Sequence, residues 1–213
     1  TGGARELCDA GILERYHVVR IFGLHLWPGL EAGRVFSRPG PLMARSNEVT
    51  VTIMGKSVHL SRAAEGRDAL AAGASYLQRA YAMVDALPPE EPRAFLFGRM
   101  VSGTVRNAVS GRTVLEGSLR TYREETYRRC REHLESIGRA LAEETGCGVE
   151  VYLNEGYPAV WNHQGLYAHI LAQLGADAPA ELAAPVLAAE DFSFYQQKVP
   201  GVFFFLGAGN TAE

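Results

Sequence analysis

Hydrophobic and polar residues follow two different rhythms along this chain. Residues 18–24 are an almost continuous apolar run that ends at His25, and residues 202–206 are another. Such runs read as strands buried in a parallel sheet. Between them the rhythm changes. Val49, Val51 and Ile53 alternate with polar residues, the pattern of a half-buried strand. Leu70, Ala74, Leu77, Tyr81 and Val84 recur at spacings of three and four and predict one buried helix face. Pro88-Pro89 ends that helix. Residues 93–101 and 113–121 read as strands, with a turn at Ser110-Gly111 between them. A second helix carries Tyr127, Cys130, Leu134, Ile137 and Leu141 on one face, is closed by Gly146 or Gly148, and leads into a strand at 149–153. Further helices are predicted at 3–10, closed by Gly11, at 164–174, closed by Gly175, and in a short stretch ending at Lys198.

The middle stretch, about residues 46–158, therefore runs strand, helix, strand, strand, helix, strand. That is the split βαβ, ferredoxin-like order. At roughly 110 residues it has an ordinary domain size. Residues 1–45 and 159–213 share a different texture. The expected fold is an α/β domain in two parts, 1–45 and 159–213, with a ferredoxin-like α+β domain inserted at 46–158. Two helices on one face of the inserted sheet leave its other face and its edges to be protected.

Composition narrows the picture. The chain has 213 residues, 47% of them hydrophobic, enough for one large or two small cores. A formal net charge of −3 carries no bias toward nucleic acid or an anionic membrane. No apolar run approaches the roughly 20 residues that span a bilayer. Cys8, Cys130 and Cys147 are odd in number and fit no zinc-ribbon or redox spacing, so a reducing, cytoplasmic setting is expected. Thr1-Gly2-Gly3-Ala4 leads straight into a helical pattern without an initiator methionine, so the true beginning of the protein is expected to lie upstream.

Several residues could carry chemistry, and each has a plain structural reading beside the chemical one. His25 follows a buried strand, where ligand sites of α/β sheets lie; it could equally be a hydrogen-bonded core or turn histidine. His59 could be an exposed loop histidine. Asn107 could bind through its amide or simply form a turn. Arg120 could grip a carboxylate by two parallel hydrogen bonds or be a solvated arginine. Glu190-Asp191 could cap the helix that follows. No nucleophile elbow and no phosphate-binding glycine loop is present.

Taken in order, short motifs resemble one family. Gly2-Gly3-Ala4, Gly23-Leu24-His25-Leu26-Trp27-Pro28 and Gly33 are similar to the centre of the catalytic domain of metallo-amidohydrolases. That family includes aminoacylases, hippurate hydrolase, carboxypeptidase-like enzymes and indole-acetyl-amino-acid hydrolases. Gly55-Lys56 through His59 resembles the G-K-x-x-H start of its lid, or dimerisation, domain. Asn107-Ala108-Val109 resembles its N-A-V-P stretch, and Gly117-Ser118-Leu119-Arg120 its G-T-x-R strand. Glu190-Asp191-Phe192-Ser193, Pro200-Gly201 and Leu206-Gly207 resemble its E-D-F…P-G…L-G tail.

The resemblance implies a two-metal catalytic domain with a ferredoxin-like lid, dimerising through that lid. It implies that His25 is a metal ligand and that His59 reaches a neighbouring subunit's site to polarise the scissile carbonyl. Asn107 and Arg120 would hold the substrate carboxylate; Glu190 and Asp191 lie near the site without an assigned role. The reaction implied is hydrolysis of N-acyl amino acids, hippurate-like or acetylated, with two divalent ions, zinc first and manganese, cobalt or nickel as alternatives. The family's C-x-H segment and Glu-Glu pair are expected before Thr1 and its final histidine ligand after Glu213, so the 213 residues alone are expected to be inactive. Ser110 stands where the family has proline, and Leu60-Ser61-Arg62 replaces its small, proline-containing loop. The rival readings are a non-catalytic dimerisation or ligand-binding module and a regulatory amino-acid-binding domain.

Overall fold

The computed structural model describes residues 2–209; Thr1 and residues 210–213, the outer ends of the first and last segments, lie outside the described residues. The chain opens with helices α1 (Gly3–Asp9) and α2 (Ile12–Arg15) and strands β1 (Ile21–Trp27), β2 (Val35–Ser37) and β3 (Gly40–Met43). Strand β4 (Arg45–Met54), helix α3 (Ala69–Asp85), strands β5 (Arg93–Ser102) and β6 (Arg112–Thr121), helix α4 (Glu124–Thr145) and strand β7 (Gly148–Leu153) follow. Strand β8 (Val160–Asn162), helix α5 (Gln164–Leu174), strand β9 (Ala180–Glu181), helix α6 (Ser193–Gln196) and strand β10 (Gly201–Gly207) complete it. Two compact units result. One joins the residues up to Ser46 to those from Tyr157 onward, and the other is Asn47–Gly156.

The first unit is organised by β10. It pairs in parallel with β1, from Ile21 opposite Gly201 to Trp27 opposite Gly207, and antiparallel with β2 on its other side. The sheet order is β1-β10-β2-β9, with β3 and β8 forming a separate antiparallel pair. Phe203 and Phe205 of β10 pack with Leu42, Met43, Val160 and Phe192 into one core. Leu166 and Tyr167 of α5 cover Val202 on the opposite face. Burying each of these large side chains stabilises the unit by roughly 1.5–3 kcal/mol before entropy is subtracted. Asn162, fully buried, ties the pieces together: its Nδ2 donates to Ser37 Oγ at 3.0 Å and to the Arg38 carbonyl at 2.8 Å, and its Oδ1 accepts from Phe203 N at 2.7 Å.

Strand β1 differs from expectation in place and in burial. The apolar run at 18–24 predicts a buried strand there, but Val18 N donates back to Leu13 O and finishes the α2 turn. Pairing begins only where Ile21 N reaches Pro200 O. The distant partner sets the start, not the local hydrophobicity. One face of β1 packs inward through Ile21 and Trp27. The other leaves Phe22, Leu24 and Leu26 at 54%, 59% and 62% exposure, so the run is half-buried. Helix α2 and the short strands β2, β3, β8 and β9 have no counterpart in the sequence pattern; each is too brief to show a period.

The second unit places α3 and α4 against a four-stranded sheet ordered β5-β6-β4-β7. Strand β4 turns Val49, Val51 and Ile53 into the core, where Leu115, Leu119, Leu134, Cys130 and Leu141 meet them. Helix α3, N-capped by Asp68, is rotated from the expected face. Leu70 is exposed; of the expected positions Val84 is buried and Leu77 and Tyr81 pack against the core, and the other buried positions are Ala69, Ala72, Gly73, Tyr76 and Ala80. Small residues let the helix approach the sheet closely: a Cβ on Gly73 would lie 2.6 Å from Thr113 Cγ2. Tyr76 fills the remaining depth and donates its hydroxyl hydrogen to Leu134 O at 3.0 Å.

The end of α3 depends on a residue beyond it. The Arg93 guanidinium donates to the carbonyls of Val84, Leu87, Pro88 and Glu91 at 2.6–3.0 Å. A cation there satisfies helix-terminal carbonyls and complements the helix dipole. Replacing it with Arg93→Met is expected to lower the unfolding free energy by about 2 kcal/mol or more, and Arg93→Lys to recover only part of this. Urea titration measures the effect; a loss under roughly 0.5 kcal/mol would show the contacts to be dispensable.

Candidate functional site

Two groups of expected site residues lie in different units. In the first unit, His25 sits inside β1 opposite Phe205, two positions before the strand ends, because pairing with β10 continues to Gly207. Its ring meets Trp27 edge-on, with centroids 6.1 Å apart. Its Nδ1 lies 4.0 Å from Glu190 Oε2. Burial, reinforced by Asp191, raises the Glu190 carboxyl above its ordinary value. Asp191 faces elsewhere: its Oδ2 accepts from Ala4 N at 3.0 Å, and its own N–H donates to Glu190 Oε1 at 3.1 Å. A Cβ on Gly2 would lie 2.1 Å from Asp191 Oδ2, so glycine there permits the contact. Gly2-Gly3-Ala4 and Glu190-Asp191-Phe192 are thus two halves of one junction.

An imidazole and a carboxylate are donor types suited to zinc, but a closed zinc site takes four ligands and a catalytic one three. Among the described residues no group of three or more His, Cys, Asp or Glu side chains could hold a metal ion. These residues by themselves do not form a metal centre.

In the second unit, the segment after β4 and the loop joining β5 to β6 run side by side. Val109 N donates to Val58 O and Leu60 N to Asn107 O, both at 2.9 Å, and His59 bridges to Ala108. His59 and Asn107 are therefore neighbours. The His59 Nδ1 lies 2.9 Å from Ser61 Oγ and accepts from Ser61 N at 3.2 Å. A short 3-10 helix, Leu60–Glu65, carries that serine, and Arg62 pairs with Glu65 within it. Ser110 serves the loop itself. Its Oγ contacts Ser102 Oγ at 2.8 Å and donates to Arg112 O at 3.1 Å, while its carbonyl accepts from Ala69 N at 3.0 Å.

Arg120 is not part of this grouping. Ser102 pairs with Thr113 at the loop end of the β5–β6 hairpin, and Arg120 pairs with Ala94 near the other end. At ~3.3 Å per residue, ~23 Å of strand separates Thr113 from Arg120. Clefts flank the Asn107 loop, one lined by Ser57, Ser102, Thr104 and Ala108, the other by Leu60, Asp68 and Arg106. His59, Asn107 and Arg120 line neither.

The order of these segments along the whole chain decides the family, because peptidase family M20/M25/M40 matches residues 1–213. The chain belongs to that family. An N-acetyldiaminopimelate deacetylase of Lacticaseibacillus paracasei is 32% identical over 199 residues, covering 92% of this chain and 52% of that protein. One from Limosilactobacillus fermentum is 27% identical, covering 99% of this chain and 56% of its own. The YxeP protein of Bacillus subtilis, a dinuclear metal-binding peptidase of the M20 family, superimposes with a TM-score of 0.75 at 27% identity over 99% of this chain and 53% of its own. A crystal structure from methicillin-resistant Staphylococcus aureus reaches a TM-score of 0.89 at 24% identity, over 100% of this chain and 55% of its own, and shows the shared fold alone. This M20 chain spans about half the length of the curated relatives it matches.

The sequence pattern offers Asp191 only as a cap for the helix that follows, and α6 has no side-chain cap; it assigns no role to Ser61. The contact of Asp191 with Ala4 gives no sequence signal because the two lie at opposite ends of the sequence. Ser61 stands out only as a departure from the family's loop. For Asp191, the structure generates a direct expectation. Asp191→Ala removes the acceptor for Ala4 N, and hydrogen exchange at that amide should quicken by roughly tenfold or more, since a bond to a carboxylate contributes about 1.5–3 kcal/mol. Unchanged exchange at Ala4 would mean that α1 is held by packing alone.

Proposed function

We propose that the full-length protein is a metal-dependent amidohydrolase that cleaves the amide bond of N-acyl amino acids. The observation that carries this reading is the pairing of His59 with the Asn107 loop, in a chain whose family includes a dinuclear metal-binding peptidase. That two relatives are named N-acetyldiaminopimelate deacetylases supports acetylated amino acids, ahead of hippurate-like ones, as the substrates proposed here. Two divalent ions, zinc first and manganese, cobalt or nickel as alternatives, are the proposed cofactors, with His25 as one ligand. Three free, buried cysteines support a cytoplasmic setting, and among the described residues no helix is long and apolar enough to cross a membrane.

In this reading the Asn47–Gly156 unit is a ferredoxin-like lid. Its βαββαβ order and its strand order, β5-β6-β4-β7, support that. Strands β5 and β7 are its edges, and Leu96 and Tyr152 are exposed on them. Those features support a homodimer formed through the lid. His59 would donate a hydrogen bond to the scissile carbonyl, and Asn107 and Arg120 would bind the carboxylate of the substrate. The strand length between Arg120 and the Asn107 loop adds a condition. If both act on one small substrate, they come from different subunits, with His59 and Asn107 on one and Arg120 on the other.

The reading is tested on full-length protein by metal analysis and a panel of acetyl- and benzoyl-amino acids. Bound divalent metal with turnover of the acetyl substrates is expected; metal-free protein without turnover would favour a binding or dimerisation module. Arg120→Ala should raise KM for acyl amino acids by roughly 10-fold or more and leave the corresponding amides, which lack the carboxylate, nearly unchanged. Equal effects on acids and amides would make Arg120 a structural residue.

A further inference from the structure

The two contacts at His59 Nδ1 fix more than a ring position. Ser61 N is a backbone N–H and can only donate, so the nitrogen it meets at 3.2 Å is an acceptor. The Ser61 hydroxyl, 2.9 Å from the same nitrogen, then turns its hydrogen toward it as well. In a neutral imidazole with a bare Nδ1, the proton is on Nε2. We infer that Ser61 is a positioning residue whose backbone N–H and hydroxyl together hold His59 as the Nε2–H tautomer, so that the ring presents one fixed hydrogen-bond donor to a carbonyl or developing oxyanion. This rests on the reading of His59 as the group that polarises the scissile carbonyl. A donor aimed at developing charge contributes most when it need not reorganise, and the other tautomer would offer a lone pair to an oxyanion.

The surroundings hold Ser61 against the ring. Leu60 N donates to Asn107 O at 2.9 Å on one side, and Arg62 N donates to His59 O at 2.9 Å on the other. The Arg62–Glu65 pair closes the same turn. Ser61 is where the chain departs from the loop its family resemblance suggests, so the hydroxyl is a feature of this chain and not of the backbone path alone.

The protein contains its own references for a test. His163 Nδ1 accepts from Leu166 N at 3.1 Å and must also be the Nε2–H tautomer. His133 Nδ1 lies 2.7 Å from the Arg129 carbonyl, which only accepts, so that neutral ring carries its proton on Nδ1. Nitrogen-15 imidazole spectra of the 213-residue chain, recorded above the histidine titration range and assigned with His59→Gln, should show His59 like His163 and unlike His133. Ser61→Ala leaves the backbone N–H in place and should move His59 only part of the way toward the averaged pattern of a free imidazole, and Ser61→Pro, which removes both donors, should move it the rest of the way; His133 and His163 should stay unchanged in both, which controls for folding. Ser61→Thr, which keeps a hydroxyl, should restore the original pattern. In full-length enzyme Ser61→Ala should lower kcat by roughly 2- to 10-fold, with KM changing less, and Ser61→Thr should recover most of it. A His59 pattern like that of His133, or one that Ser61→Pro leaves unmoved, would overturn the inference. A fixed Nε2–H tautomer together with a fully active His59→Gln enzyme would instead sink the catalytic reading of His59 and leave the tautomer assignment standing.

Discussion

The parallel pairing of β1 with β10 is the contact on which the first unit depends. Its two strands come from the first and last segments of the chain, with a whole compact unit between them. Joining them closes a very long loop, yet loop-closure entropy grows only with the logarithm of length. The aromatic side chains of β10 offset that cost by burial. Trp27 packs on Phe205 with centroids 4.4 Å apart, and Phe192 on Phe203 at 4.9 Å. Gly23 has no room for a side chain, since a Cβ would lie 2.5 Å from the Phe203 ring. The same register sets His25 opposite Phe205, and Glu190 approaches its ring.

The second unit has its own core and its own closure. Ser46 and Tyr157 exchange backbone hydrogen bonds at 3.1 and 3.2 Å where the first unit lets the chain out and takes it back. Just inside the second unit, Asn47 Nδ2 donates to the carbonyls of Asn154 and Glu155. With both of its ends tied, the unit can use its sheet and helices to present a loop. The β5–β6 connection meets the segment after β4 through three backbone contacts, and this is what makes His59 and Asn107 neighbours.

Local pattern made some of this legible and left the rest hidden. The alternation of Val49, Val51 and Ile53 reads correctly because a half-buried strand is a local fact. Strand β1 is misplaced because its start depends on Pro200, which no window around Val18 contains. The buried face of α3 is only partly legible because, beside Tyr76 and Val84, it consists of alanines and Gly73, which carry little hydrophobic signal but allow close packing. Among the candidate site residues, motif resemblance could name His25, His59, Asn107 and Arg120. It could not say that His59 and Asn107 share a loop cluster while Arg120 stands at the other end of a strand. Nor could it foresee the junction of Asp191 with Gly2 and Ala4, or two donors from Ser61 on one imidazole nitrogen.

The central claim is that substrate-facing groups of the lid act across a subunit interface. It is tested most directly by mixing subunits of full-length enzyme, one carrying His59→Ala and the other Arg120→Ala, at an acetyl-amino-acid concentration well below KM, where each alone has been shown to retain only a small part of the wild-type rate. With the two residues acting from different subunits, each mixed dimer regains one intact site and carries both lesions in the other, so the intact sites of an equal, fully exchanged mixture should supply about a quarter of wild-type activity, above the residual rate of either variant alone. No recovery, with mixed dimers demonstrated by differential tagging, would contradict the account and place both residues in the site of a single subunit.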